Sequence, residues 1–143
     1  MVILVNTMDT VIYPGRYENL EIICDYVGNA AKEAGLDNKA VYAVQLAVDE
    51  ACCNIIDHAY GGEGIGDLEC SVEVANGELT VVLRDHGRPF NPEIIPNPTL
   101  NAPLGKVKPR GVGLYLIRRM MDKVHYESTP DAGNVLTMVK RRD

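Results

Sequence analysis

The sequence predicts an α+β domain, a two-layer sandwich in which one mostly antiparallel sheet carries helices on one face. Two long segments with helical spacing of apolar residues follow each other early in the chain. A strand–turn–strand pattern comes next, and no regular alternation of single strands and helices is present. Strands joined by hairpins form antiparallel sheets, which commonly bury one face under helices.

Length and charge limit the class of protein. A chain of 143 residues has room for one domain, residues 1–143, which can bury a core without a disulfide or a metal. The net charge of −6 disfavours nucleic acid and anionic membranes as partners. No apolar run reaches the roughly 20 residues of a membrane span, and the first residues lack a signal-peptide pattern. We therefore expect a cytoplasmic protein with neither direct nucleic-acid nor membrane binding.

The four cysteines predict neither disulfides nor a zinc site. Cys52 and Cys53 are adjacent in an apolar helical segment, where they diverge by about 100° around the helix axis. Zinc sites need spaced pairs of ligands, and the three histidines lie in no such pattern. We expect four reduced thiols, most of them buried.

The first part of the chain predicts one strand and two helices. A β-branched run at 2–7 is compatible with an edge strand. Apolar residues then recur at a spacing of three to four until Gly35, which predicts the first helix. A second, unusually apolar helix is predicted to begin at Asp37 or Asn38, either of which can be its N-cap, and to end at about Ala59.

The remaining elements are a hairpin, a short helix and two strands. Alternating residues over 67–84 surround an Asn76-Gly77 turn, which is a strong hairpin signal. A short helix is predicted from Leu114 to Met121. The segments 124–128 and 135–139 predict the last two strands.

A proline-rich stretch separates the hairpin from the short helix. Between residues 89 and 110 lie six of the eight prolines, a density that excludes a regular helix or a central strand. Connections of this length are usually functional lids or disordered linkers. Because the chain after residue 110 is too short for a second domain, we expect a lid at about 91–110.

Polar residues on the second helix mark a candidate site. Leu46, Glu50, Asn54 and His58 are four residues apart and therefore form one line on the helix surface. Glu50 and Asn54 border the apolar face of that helix. Asparagine is a poor helix former, so its place beside the core suggests a function, although a satisfied buried polar pair would also explain it.

Two further motifs are weak when taken alone. Asp85 and Gly87 follow the hairpin, where these residue types commonly form a turn. Gly111 and Gly113 precede a helix whose first N–H groups could approach a phosphate. The third glycine of a dinucleotide fingerprint and the Gly-Lys-Ser/Thr of a P-loop are missing, which excludes those two nucleotide folds.

In combination the three motifs are specific. The order Glu50-x3-Asn54-x3-His58-Ala59-Tyr60, Asp85-x-Gly87, lid, Gly111-x-Gly113-Leu114-x-Leu116 resembles the boxes of the ATPase superfamily shared by gyrase, Hsp90, histidine kinases and MutL. Within it, segments 47–60, 113–117 and 121–124 are most similar to the bacterial anti-sigma-factor serine kinases of the SpoIIAB and RsbW type. The likeness runs from about residue 14 to the end of the chain.

The resemblance implies a Bergerat-type ATP-binding fold with ATP and Mg²⁺ as cofactors. Glu50 would be the general base that accepts the proton of an attacking hydroxyl. Asn54 would bind Mg²⁺ through its amide oxygen, a ligand type that magnesium prefers. Asp85 would accept a hydrogen bond from the adenine amino group, and Gly87 would let the base lie close.

The resemblance places the phosphates at the glycine turn and the start of the following helix, at Arg110, Gly111, Gly113 and Leu114. Lys106 and Lys108 could add phosphate contacts or be solvated loop charges. Arg110 departs from the family, because many relatives carry a glycine there. Asn134 stands where a threonine commonly helps to bind adenine, so that contact is open. His58 could orient the site or merely end the helix.

The implied activity is that of an ATP-dependent serine/threonine protein kinase acting as an anti-sigma factor in partner switching. Such a kinase would hold a sigma factor, phosphorylate a STAS-type anti-sigma-factor antagonist and form a homodimer. The alternative is a non-catalytic ATP-binding module that sequesters a protein partner, and Glu50 favours the enzyme over that module. A histidine kinase catalytic domain acting in trans is a third reading.

Overall fold

A computed structural model describes residues 8–89 and 113–142. In these residues five antiparallel strands form one sheet in the order β1-β2-β3-β5-β4, and the helices cover one of its faces. The strands are β1 (Met8–Pro14), β2 (Asp67–Ala75), β3 (Glu78–Asp85), β4 (Lys123–Thr129) and β5 (Gly133–Arg141). The helices are α1 (Leu20–Glu33), α2 (Asn38–Asn54) and α3 (Gly113–Met120). The predicted α+β sandwich is confirmed.

The core lies between the sheet and the helices. In β3, Leu79, Val81 and Leu83 are buried, while the residues between them are only half-buried, so one face of the strand packs against the helices. Ile23 of α1 and Val48 of α2 are fully buried in the same core. The alternation of the hairpin strands in the sequence therefore predicts their buried face correctly.

The predicted hairpin is confirmed, and so are the last two strands. Ala75 pairs with Glu78 across the Asn76-Gly77 turn. The final strands β4 and β5 pair with each other, and β5 also pairs with β3. Because β5 lies between β3 and β4, its first residues stand directly beside the last residues of β3, and this places the candidate site at that end of the sheet.

The first strand and the first helix differ from the prediction. The strand predicted at 2–7 lies outside the described residues, and β1, one of the two edge strands of the described sheet, was not predicted. Its alternation is weak: Val11 and Tyr13 pack against the core, but the outward-facing Ile12 is itself apolar and 58 % exposed. Helix α1 begins only at Leu20, after a short 3-10 turn at Tyr17–Asn19.

The second helix begins as predicted and ends differently. The Asp37 side chain accepts a hydrogen bond from the backbone N–H of Ala40, at 2.8 Å, and so caps the helix. The α-helix ends at Asn54, and a π-helical turn follows over Ile55–Ala59. The helical segment thus reaches Ala59 as predicted, but its last residues, including His58, lie in the π-helical turn and not in the α-helix.

All four cysteines are free thiols, as predicted; Cys52 and Cys70 are buried, and Cys24 and Cys53 are half-buried. In the described ranges no group of three or more His, Cys, Asp or Glu side chains could hold a metal ion. No helix in the same ranges is long and apolar enough to cross a membrane. The predicted lid at about 91–110 lies outside the described residues.

Candidate active site

The polar residues singled out in the sequence converge where α2 ends beside the last residues of β3. Helix α2 supplies Glu50 and Asn54, the last residue of β3 is Asp85, and the loop after β3 supplies Gly87. The loop is tied to the π-turn because the N–H of Arg88 donates to the carbonyl of Ala59, at 2.8 Å. The end of α2 and the adjacent end of the sheet therefore carry these four predicted residues.

Asn54 is the most unusual polar residue of the site. It is only 8 % exposed, and its amide oxygen Oδ1 is buried without a hydrogen-bond partner among the described residues. A buried acceptor with no donor is costly, so such an atom in a native protein requires an explanation. An oxygen ligand to Mg²⁺ is one, because magnesium is bound through protein oxygens together with substrate phosphates. The residue present therefore fits the ion that the resemblance implies.

Glu50 lies one helical turn before Asn54 on the same side of α2. The residue is half-buried, and its carboxylate oxygen Oε2 is fully shielded from solvent. A carboxylate in such a position is held close to whatever occupies the Asn54 side of the helix. Its role as a general base stays a prediction.

Asp85 is a buried carboxylate whose two oxygens differ. The residue is 4 % exposed, and its Oδ1 accepts hydrogen bonds from the Gly87 N–H, at 2.9 Å, and from the Asn134 amide, at 2.7 Å. No described residue donates to Oδ2, so that oxygen can accept a hydrogen bond from a ligand. Burial raises the pKa of Asp85 above its ordinary value of 3.8, while the two hydrogen bonds and the nearby His86 oppose that rise.

Asn134 holds Asp85 in place, a role that the sequence analysis left open. It is 2 % exposed and stands directly across from Asp85 in the β3–β5 register. Its Nδ2 also donates to the carbonyl of Gly87, at 3.1 Å, and its Oδ1 accepts from the Ser128 hydroxyl, at 2.7 Å. Asn134 is thus a positioning residue for the carboxylate and for the loop behind it. The strand pairing that brings it there was the signal that could have found it.

Gly87 is required by close packing. A Cβ atom at this position would lie 2.6 Å from the carbonyl carbon and oxygen of Ala59, which are backbone atoms that cannot move aside cheaply. Gly133 meets a similar limit, since a Cβ there would lie 2.5 Å from the carbonyl oxygen of Asp85, and its φ of +78° favours glycine. Both glycines let the strand ends and the π-turn approach each other.

Tyr60 joins the same elements through its hydroxyl. That group donates to the carbonyl of Asp67, at 2.7 Å, and accepts from the backbone N–H of His86, at 3.1 Å. His58 contributes its carbonyl, which accepts from the Arg88 guanidinium at 3.2 Å. Both residues therefore connect the π-turn to its surroundings, which supports a positioning role for this end of the helix.

The phosphate end of the site is described only in part. Gly113 and Leu114 are the first residues of α3, in agreement with the predicted helix start. Arg110, Gly111, Lys106 and Lys108 lie outside the described residues. Their predicted contacts with phosphate stay predictions.

Comparison with known proteins identifies the family of the chain. The family described as the histidine kinase-like ATPase domain matches residues 13–140, which include all of α2, β3 and α3 and all of β5 except Arg141. The chain belongs to the histidine kinase-like ATPase domain family. The resemblance stated from the motifs is thereby confirmed.

The relatives of this ATPase domain include serine-protein kinases. The chain is 30 % identical over 131 residues to the serine-protein kinase RsbW of Halalkalibacterium halodurans, covering 89 % of this chain and 78 % of the relative. It is 28 % identical over 131 residues to RsbW of Bacillus mycoides, covering 89 % and 80 % of the two chains. The motif-based assignment to RsbW-type serine kinases is confirmed over most of the chain.

Solved structures show the fold of this ATPase domain. A structure containing the RsbU and RsbW domains of a Mycobacterium tuberculosis protein matches with a TM-score of 0.66 at 13 % identity. The match covers 94 % of this chain and 32 % of that chain, so this chain spans about a third of it. The catalytic domain of the histidine kinase ThkA matches with a TM-score of 0.54 at 13 % identity, covering 94 % and 96 %.

Proposed function

We propose that this chain is an ATP-dependent serine/threonine protein kinase that acts as an anti-sigma factor and phosphorylates an anti-sigma-factor antagonist. The observation that carries the proposal is the buried, unsatisfied amide oxygen of Asn54, one helical turn from the Glu50 carboxylate. The relatives named serine-protein kinase RsbW support the same activity.

Each residue has a separate task in this proposal. The free Oδ2 of Asp85 accepts the adenine amino group, while its Oδ1 is fixed by Gly87 and Asn134. The Asn54 amide oxygen binds Mg²⁺, which when bound neutralises phosphate charge during phosphoryl transfer. Glu50 accepts the proton of the partner's hydroxyl, a weak nucleophile at neutral pH. Arg110, Gly111, Gly113 and Leu114 bind the phosphates.

The proposed partners are a sigma factor and a STAS-type antagonist, and the proposed assembly is a homodimer. The relatives' name and the solved RsbU and RsbW domains support partner switching of this kind. Four free thiols support a cytoplasmic location, where cysteines stay reduced.

Replacing Glu50 separates an enzyme from a non-catalytic ATP-binding module. Glu50→Gln keeps the size of the side chain and removes the base, so ATP still binds while phosphate transfer falls by about 10²- to 10⁴-fold. Asn54→Ala instead weakens the Mg²⁺-dependent binding of nucleotide. The measurement is transfer of labelled phosphate to the antagonist, alongside calorimetric nucleotide affinity for each variant.

Unchanged transfer by Glu50→Gln would contradict the assignment of the base. If the unmodified protein binds Mg-ATP but transfers no phosphate to the antagonist it binds, the ATP-binding module is the correct function. Absence of any nucleotide binding by the unmodified protein would contradict both readings.

A further inference from the structure

A basic cavity lies at the opposite end of α2 from the nucleotide site. It has a volume of about 360 Å³ and is bounded by the start of α2, the end of α3 and the end of β5. Lys39, Arg119, Lys140 and Arg142 contribute basic side chains to its walls, and Ala43 and Met120 contribute apolar surface. The cavity thus combines positive charge with an apolar lining.

Most of this positive charge is not neutralised within the described protein. Asp37 is the one carboxylate in the lining, and it accepts a hydrogen bond from the helix backbone. Arg141, also in the lining, pairs with Glu78 at 3.0 Å. Among the described residues, no carboxylate forms an ion pair with Lys39, Arg119 or Arg142. In a chain of net charge −6, such a concentration of cations attracts an anionic partner.

The cavity and Glu50 lie on the same side of α2. Lys39 and Glu50 are eleven positions apart, which is close to three whole helical turns and a separation of about 16 Å along the axis. Tyr42, which is 65 % exposed, and the half-buried Leu46 lie on the same side between them. An exposed aromatic residue of this kind is typical of protein-binding surfaces. A continuous strip therefore leads from the proposed base to the basic cavity.

We propose that the basic cavity binds an acidic, partly apolar segment of the protein substrate whose hydroxyl is presented to Glu50. This inference rests on the proposed kinase function. The volume admits a few side chains and not a folded domain, and the unpaired cations select carboxylates. The apolar lining from Ala43 and Met120 accommodates an aliphatic side chain between them.

Binding of a synthetic peptide tests the cavity directly. The probe is a fluorescein-labelled peptide of alternating glutamate and leucine, followed by fluorescence anisotropy. Arg119→Glu and Arg142→Glu should each weaken its binding by at least about tenfold, because each replaces an attractive charge with a repulsive one. Arg16→Glu is the matched control: it makes the same charge change at an exposed arginine outside the cavity and should leave the affinity unchanged.

Three results would overturn the inference. The first is equal affinity of the unmodified protein, Arg119→Glu and Arg142→Glu for the peptide. The second is equal affinity for a peptide carrying glutamine in place of glutamate. The third is displacement of the acidic peptide by millimolar inorganic phosphate or by duplex DNA as readily as by unlabelled peptide, which would assign the cavity to phosphate groups. Thermal unfolding of each variant verifies that it is folded.

Kinetics of phosphate transfer to the protein substrate keep this inference separate from the kinase proposal. Arg119→Glu and Arg142→Glu should raise the KM for the protein substrate about tenfold, with kcat and ATP affinity unchanged. Glu50→Gln lowers kcat instead. A protein that binds the acidic peptide through the cavity but transfers no phosphate would contradict the kinase function and leave the cavity as a binding site. If the protein transfers phosphate and its KM for the protein substrate is unchanged in both arginine variants, only the proposed role of the cavity is contradicted.

Discussion

At the scale of single residues, Asp85 is subject to two opposed effects. Its burial raises the pKa and favours the protonated form, whereas the Gly87 N–H, the Asn134 amide and His86 favour the carboxylate. In the proposed site, the carboxylate oxygen Oδ2 is the acceptor for the adenine amino group. The hydrogen bonds from Gly87 and Asn134 offset part of the free-energy cost of burying the Asp85 carboxylate. Asp85 can therefore accept a further hydrogen bond.

Replacing Asp85 with asparagine should weaken ATP binding while the fold is kept. Loss of a hydrogen bond to a charged group is worth about 1.5–3 kcal/mol, which corresponds to about 10- to 100-fold in affinity. Calorimetric titration of ATP into both proteins measures the change. Ser71→Ala is a suitable control, since Ser71 contacts Thr10 on the other face of the sheet; unchanged affinity in Asp85→Asn would contradict the adenine assignment.

The same variant reports the raised pKa of Asp85. Because its folded-state pKa lies above the ordinary 3.8, its contribution to stability is fully present below that value and is lost as pH rises through the folded-state pKa. The free energy of unfolding of the unmodified protein, minus that of Asp85→Asn, should therefore fall as pH rises above the ordinary pKa of 3.8. Urea denaturation at stepwise pH measures it, and a difference that grows with pH would contradict a raised pKa.

Motif spacing predicts Glu50, Asn54 and Asp85 from the sequence because each stands in a local pattern. Asn134 could not be given a role in the same way. Its partner Asp85 is 49 residues earlier in the chain, and only the pairing of β3 with β5 joins them. Likewise, the burial of the Asn54 oxygen depends on packing around the helix end and not on the sequence of α2 alone.

At the scale of elements, the loop after β3 and the π-turn behave as one unit. The N–H and the guanidinium of Arg88 both donate to carbonyls of the π-turn, and the Tyr60 hydroxyl accepts from the N–H of His86. Gly87 lies against the Ala59 backbone in the middle of these contacts. The position of Asp85 relative to Asn54 is therefore fixed by this junction.

Gly87→Ala should loosen that junction. A Cβ placed 2.6 Å from the Ala59 carbonyl must displace backbone, and overpacking of this kind costs about 1–3 kcal/mol. Chemical denaturation measures the loss of stability, and nucleotide titration should show weaker ATP binding in the folded variant. His86→Ala, at the exposed neighbouring position, serves as the control and should change stability by less than about 0.5 kcal/mol. Equal stability of both variants would contradict the close approach.

The sequence predicts the existence and the type of most elements, and it fails at the end of α2 and at strand β1 for physical reasons. Residues 55–59 are compatible with an α-helix, and the extra residue per turn there depends on contacts with a loop about 30 positions later. Strand β1 has too few core contacts to produce a clear alternation. Both features are set by tertiary contacts.

At the scale of the whole molecule, the low reactivity of three cysteine thiols depends on the folded core. Burial raises the pKa of Cys24 and of Cys70 to about 12, and it raises the pKa of Cys52 well above its ordinary value. The thiolate is the reactive form, so these three side chains are unreactive near neutral pH while the protein is folded.

Alkylation should therefore report global unfolding. In iodoacetamide at pH 8 we expect Cys24, Cys52 and Cys70 to be labelled slowly in the native protein and rapidly in concentrated urea. Peptide mass spectrometry gives the extent of labelling at each position. Labelling of Cys70 in the native protein at the rate of an unstructured peptide would show that the thiol is not protected by the core.

The composition gives the net charge of the molecule, but it does not show where charged side chains cluster in the fold. The net charge of −6 disfavours an anionic partner, yet Lys39, Arg119 and Arg142 meet at one cavity. They are far apart in the sequence, and only the packing of α2, α3 and β5 brings them together. A sum over the chain cannot reveal such a local excess.

Because α2 is a single α-helix, the distance between its two ends is fixed. In the proposed complex, the serine presented to Glu50 and the acidic side chain in the cavity are separated by about 16 Å, the axial length between Glu50 and Lys39. An extended peptide advances about 3.3 Å per residue, so its acidic group would stand about five residues from the serine. In a helical substrate the same gap would need about eleven residues. Helix α2 would thereby choose among the serines of one partner by their distance from a carboxylate.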